Sequence, residues 1–145
     1  MSLRKPVVEL EIALTLLGDD PEPHVVYLPP GDSSVDAVEF YLQSPRRFLP
    51  MLWTGLPRII NKDQILWLRV IRSGLDTQAD VTAVRYATIL ELSDRSRLEG
   101  YVCKPQMQTR LSDVLNDRGE FFLRLDDAQA IYFVNKAHVR FAVPQ

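Results

Sequence analysis

The residues able to carry chemistry in this chain are few and scattered. Two histidines (His24 and His138), one cysteine (Cys103) and two adjacent acid pairs (Asp19-Asp20 and Asp126-Asp127) are the raw material for nucleophilic or acid–base work. A nucleophile needs a base within hydrogen-bond reach, and a zinc centre needs Cys or His ligands at short fixed spacing. The histidines stand 114 positions apart, and neither keeps such a spacing to Cys103. The aspartate pairs fall between apolar runs, where aspartate is an ordinary turn residue. The glycines are isolated, so no phosphate-cradling loop is written. These patterns predict no catalytic residues, no metal, no cofactor and no enzyme activity.

Two other groups of residues point to binding. Arg46 and Arg47, just before Phe48, form a small anion site with Lys62 if the chain folds back on itself. Leu52 and Trp53 lie in "MLWTGLP", where a turn would ordinarily carry polar residues. Tryptophan is enriched among the residues that dominate protein interfaces, so the pair marks either a surface for a partner protein or a plug for an internal seam. A formal charge of −2 and a pI near 5.7 provide little attraction for polyanions, which disfavours nucleic acid.

The elements that must position these residues occur twice. Laid without a gap, 48–68 matches 122–142: Phe48, Leu49, Asn61 and Lys62 meet the identical Phe122, Leu123, Asn135 and Lys136. Apolar class holds where identity fails, with Met51 on Leu125, Ile59 on Phe133, Ile60 on Val134, Ile65 on Val139 and Trp67 on Phe141. His138 meets Gln64, so no histidine is shared by the two copies. The pattern divides the chain into a first β-rich repeat at 1–72, a polar linker "SGLDTQAD" at 73–80, and a second repeat at 81–145. Units of this length are marginal alone, so the two are expected to pack together.

Within each unit the hydrophobic periods read strand, strand, short helix, strand, strand. In unit two the β-rich runs "AVRYATILEL" and "RLEGYVC" flank the turn "SDRS", and Gly100 in the second run predicts a bulge or bend. Leu111, Val114 and Leu115 then recur at helical spacing behind a cap at Thr109 or Ser112, as do Val35, Val38 and Leu42 behind Ser33. The shared Asn-Lys pair reads as structural, turning the chain between the last two strands. Of the closing runs, "ILWLRVI" at 65–71 is apolar almost throughout, which predicts burial on both faces at the seam or in a homodimer. "VRFAV" at 139–143 alternates, as an edge strand does.

The strings "LEGYVCKP", "RLSDVLND", "FFLRLDD" and "YFVNKAHV" resemble a tandem-repeat family of small β-rich bacterial modules, a domain of unknown function. In length and strand rhythm each unit also resembles SH3-like and Sm-like barrels. The fold these resemblances imply is mainly β with short helices (α+β), a tandem repeat of two ββαββ small barrels packed together; no activity comes with them. "DRSRLEG" lacks the spacing of PilZ cyclic-dinucleotide domains, so no binding residues are carried over from that family.

A single cysteine excludes an internal disulfide framework. Residues 1–8 lack an apolar leader, and no run approaches the roughly 20 apolar residues of a membrane span. The expectation is a cytoplasmic, non-enzymatic protein-interaction or regulatory module whose partner is a protein, a second copy included. The alternative is a sensor that takes a small anion, nucleotide or RNA in the groove between the repeats.

Overall fold

The computed structural model describes residues 8–28, 34–71, 84–104 and 110–145. The linker expected at 73–80, the Ser33 cap and the Thr109 cap lie outside the described residues. The first half runs β1 (Val8–Leu16), β2 (Glu22–Leu28), α1 (Ser34–Gln43), β3 (Phe48–Trp53), β4 (Leu56–Asn61), a 3-10 turn (Lys62–Gln64) and β5 (Ile65–Ile71). The second half follows the same order: β6 (Val84–Leu92), β7 (Arg97–Lys104), α2 (Leu111–Leu115), β8 (Phe122–Asp126), β9 (Ala130–Asn135), a 3-10 turn (Lys136–His138) and β10 (Val139–Pro144).

The expectation of two packed ββαββ barrels of the SH3-like or Sm-like kind is overturned. The ten strands form one antiparallel sheet in the order β10-β6-β7-β8-β9-β5-β1-β2-β3-β4. The physical reason lies in β5 and β9, whose sequences "ILWLRVI" and "AIYFVN" are apolar on both faces. Pairing them, from Trp67 opposite Val134 to Ile71 opposite Ala130, makes both strands central and joins the halves through backbone hydrogen bonds. Among the described residues each half has five strands rather than four, because the 3-10 turn that follows Asn61 or Asn135 leads into one more.

Strand alternation at this seam builds a core on each side of the sheet. Ile131 and Phe133 of β9 join Leu68 and Val70 of β5 in the core that also holds Ile12, Leu14, Val26 and Leu49. Val134, with Leu66 and Trp67, goes to the second core with Leu90, Val102, Leu123 and Leu125. Burying a Leu, Ile, Val or Phe side chain contributes about 1.5–3 kcal/mol. A seam with so many fully buried side chains therefore holds the halves together as one sheet. β10, with its alternating pattern, lies at one outer edge and β4 at the other.

The helices cover the cores. α1 buries Val35, Val38 and Leu42 against the first core. α2, a helix of 5 residues, buries Leu111 and Val114 against the second. Its N-cap is Arg110, which makes no side-chain capping bond, and Ser112 sits inside the helix, not at its cap. Gly100 makes no bulge: it pairs in register with Thr88. Its function is close approach, since a Cβ there would lie 2.5 Å from the Asp126 carbonyl oxygen where β8 pairs with β7.

Candidate functional site

The Asn-Lys pairs have a defined job in both halves. Asn61 holds extended backbone (φ −74°, ψ 117°) and its Oδ1 accepts from the Asp63 N–H at 3.0 Å, capping the 3-10 turn. Asn135 accepts from Ala137 N–H at 3.0 Å in the same way. The lysines reach back to the helices: Lys62 Nζ donates to the carbonyls of Leu42 (3.1 Å) and Ser44, while Lys136 Nζ donates to those of Val114 (2.9 Å) and Asp117 (3.1 Å). Each lysine thus satisfies carbonyl groups at the end of a helix that lack an intrahelical partner. Burial holds the Lys62 ammonium below the usual lysine range, against the opposing pull of Asp63.

The two turns meet across the seam. Asn135 Nδ2 donates to the Lys62 and Ile65 carbonyls, at 3.1 and 3.0 Å, and Gln43 at the end of α1 bonds the backbone of Phe121 and Phe122. Between them opens a cleft of about 540 Å³, which brings together all three residues of the expected anion site, Arg46, Arg47 and Lys62, with Arg118 and Phe121 of the second half. Arg47 is engaged by Asp63 at 3.2 Å, and Lys62 by the helix carbonyls. Among the described residues, Arg46 and Arg118 carry no ion pair. Lys62 is therefore a structural clamp on the cleft wall, and the cations left for an anion are arginines. Arg118 was not recognisable in the sequence, since only the seam pairing places it opposite Arg46.

The expected partner residues part company. Thr54 (φ 51°) and Gly55 (φ 78°) form a two-residue hairpin loop, with Trp53 opposite Leu56 and Leu52 opposite Pro57. Neighbouring strand residues face opposite sides, so Leu52 and Trp53 do not form one patch. Trp53 is half-buried under the Arg58 guanidinium, 4.5 Å from its ring centroid, and Arg58 in turn reaches His24 Nε2 at 3.1 Å and Glu22 at 3.5 Å. Leu52 shares the other face of the hairpin with Phe48, Pro50, Pro57 and Ile59, and four of these five are exposed. Among the described residues no core covers this face, and β4 also offers an unpaired ladder edge.

Among the described residues, the candidate acids and bases of the second half are held by structural contacts. Asp126 is tied to Arg124 by two contacts, 2.8 and 3.1 Å, and Asp127 accepts from the Gln129 and Ala130 amides, both at 2.7 Å. Ser93 Oγ lies 3.1 Å from His138 Nδ1, a contact the sequence did not announce, while His138 Nε2 meets the Asp63 carbonyl. This pair ties the second half to the first turn and does not line the seam cleft. Among the described residues no cluster of three His, Cys, Asp or Glu is arranged to hold a metal, and no helix is long and apolar enough to cross a membrane.

In comparison with known proteins, no family model, curated protein or solved structure matches this chain.

Proposed function

We propose that the protein is a non-enzymatic interaction module whose contact surface is the outer hairpin β3–β4. The observation that carries this reading is the uncovered apolar face formed by Phe48, Pro50, Leu52, Pro57 and Ile59 beside the free edge of β4. An exposed apolar face next to a row of unpaired backbone groups supports recognition by strand addition, with backbone bonds providing affinity and alternate side chains providing selectivity. Immobilised protein should retain a partner that Ile59→Asp and Leu52→Asp both lose while melting like the wild type. Trp53→Ala, which alters the opposite face, should retain it. Capture indifferent to Ile59 and Leu52 but lost with Trp53 would overturn the assignment of the face.

A second reading is favoured by one observation, the convergence of Arg46, Arg47 and Arg118 on the seam cleft beside the half-exposed ring of Phe121. Arginine forks suit phosphate or carboxylate, and an aromatic ring offers a stacking surface for a base. In this reading the cleft takes a small anionic ligand such as a nucleotide. Titration with nucleoside mono- and diphosphates should give salt-sensitive binding that Arg46→Ala and Arg118→Ala each weaken about tenfold, the loss of a charge-assisted contact of about 1.4 kcal/mol. Heat signals that ignore both substitutions would remove the cleft as a ligand site.

A further inference from the structure

The two outer edges of the sheet are the repeat equivalents of the two strands joined at its centre. β4 corresponds to β9, and β10 corresponds to β5. Inside the chain β9 and β5 pair; β4 and β10 stand at opposite ends of the same sheet. Residues that are identical or equivalent in the repeat therefore have opposite fates. Phe122 is 2% exposed and Phe48 is 53% exposed; Phe133 is fully buried and Ile59 is 73% exposed. What covers Phe122 and Phe133 is the first half's core, with Leu68 and Val70 of β5. The counterparts of those residues on β10 are Ala142 and Pro144.

The polar groups repeat the comparison. Asn135 uses Oδ1 to cap its own turn and Nδ2 to grip the Lys62 and Ile65 carbonyls across the seam. Asn61 makes the capping bond and, among the described residues, no bond from Nδ2. The equivalent acceptors are the carbonyls of Lys136, in the turn before β10, and Val139, at the start of β10.

We propose that a second copy of this chain docks head to tail, its β10 pairing with β4 in the register that β5 uses with β9. This rests on the interaction reading of the outer hairpin and names its partner. The register places Ala142 of one copy opposite Ile59 of the next, and Pro144 opposite Pro57. The hydrogen-bond alternation sets the strength of the contact. Lys62 N–H bonds the Arg47 carbonyl at 2.8 Å, so alternate β4 residues, Ile59 and Pro57, direct their backbone groups to the free edge. Gln145 N–H bonds the Ala87 carbonyl at 2.9 Å, and by the same alternation Ala142 and Pro144 of β10 point outward. Proline has no N–H to give. Where Val70 and Ile131 supply two ladder donors at the seam, Pro144 and Pro57 supply none. The apolar face and Asn61 attract the second copy, and the proline pair keeps the contact reversible. Because the two surfaces differ, such association closes into a ring or extends as a filament, with no pairing of like with like.

Sedimentation velocity on the full chain, from about 1 to about 500 µM, tests this. The wild type should shift from monomer to larger species as concentration rises, and Ile59→Asp should remain monomeric. Pro57→Ile combined with Pro144→Val, which installs the seam's own residues, should tighten association at least about tenfold, as two regained backbone bonds would. For register, Ile59→Cys and Ala142→Cys are prepared as separate proteins, each with Cys103→Ser. A disulfide-linked dimer should form on mixing and in neither protein alone. A wild type that stays monomeric throughout overturns the proposal whatever the proline variant does, and so does a disulfide formed by Ile59→Cys alone. Neither result touches the broader interaction reading, which fails only if a foreign partner also ignores Ile59 and Leu52.

Discussion

The hairpins β3–β4 and β8–β9 share Phe, Leu, Asn and Lys at matching positions, yet one is the outer rim of the sheet and the other its middle. In β8–β9 the residues Phe122, Leu123, Ile131, Phe133 and Val134 are all buried. In β3–β4 the core-facing Leu49, Met51 and Ile60 are buried as well, whereas Phe48 and Ile59 on the other face lie open. The difference is not composition. It is whether a neighbouring strand and core lie on the second face, so the same hydrophobic pattern acts as packing in one place and as an unoccupied surface in the other.

Substitution should separate the two hairpins most strongly at the positions of greatest contrast. Phe133→Ala opens a cavity in the first core and should cost about 3–5 kcal/mol in urea unfolding, whereas the equivalent Ile59→Ala should stay within about 0.5 kcal/mol of the wild type for the monomer. Equal costs would mean that the outer face is packed after all. Next in size, Asn135→Ala removes the cap and both side-chain bonds to the Lys62 and Ile65 carbonyls at a buried seam, an expected loss of about 2–4 kcal/mol. Asn61→Ala removes the cap alone and should cost about 1 kcal/mol in the monomer.

A third substitution sharpens the comparison by predicting likeness. Lys62→Met and Lys136→Met each leave a helix end without its clamp, and the expected loss is similar in the two halves, about 1–2 kcal/mol. If Lys62→Met were nearly silent for stability while abolishing nucleotide binding, the lysine would belong to the cleft's ligand set and not to the fold.

The features legible in the sequence are those set by local period and by identity between the copies. The helical spacing of Val35, Val38 and Leu42, the continuous apolarity of "ILWLRVI" that put β5 at the centre, the alternation that put β10 at an edge, and the structural part of Asn-Lys are all of this kind. What stayed hidden depends on contacts far apart in the chain. Whether two five-strand units close separately or share a sheet turns on β5 choosing β9 as its neighbour, and no periodicity within either strand names that partner. Leu52 and Trp53 looked like one patch because they are adjacent in sequence, but strand geometry sends them to opposite faces. Arg118 joined Arg46 only through the same long-range pairing. Gly100 was visible as a break in a strand; that it lets β8 pair closely with β7, and makes no bulge, required Asp126 to be located.

The smallest expected effect lies in a contact that only the outer hairpin has. Arg58 of β4 stands between Trp53 and His24, while its counterpart in β9, Tyr132, packs edge-on against Trp67 with ring centroids 5.3 Å apart. His24 is buried, its Nδ1 near the Glu22 carbonyl at 3.1 Å and its Nε2 facing the Arg58 guanidinium. Burial, joined by the positive charge of Arg58, holds its pKa below the ordinary histidine value, against the backbone bond and the carboxylate of Glu22. The folded protein therefore binds the proton less readily than the unfolded chain does. This contribution to stability is fully present above about pH 6.5, the unfolded value, and is lost as pH falls through the lower folded pKa. The urea midpoint should fall between pH 7 and pH 5, and His24→Gln should flatten that part of the profile while Tyr132→Phe leaves it unchanged. A midpoint that instead rises on acidification would mean that Glu22 governs the proton, and that the outer hairpin is held by an imidazolium–carboxylate pair.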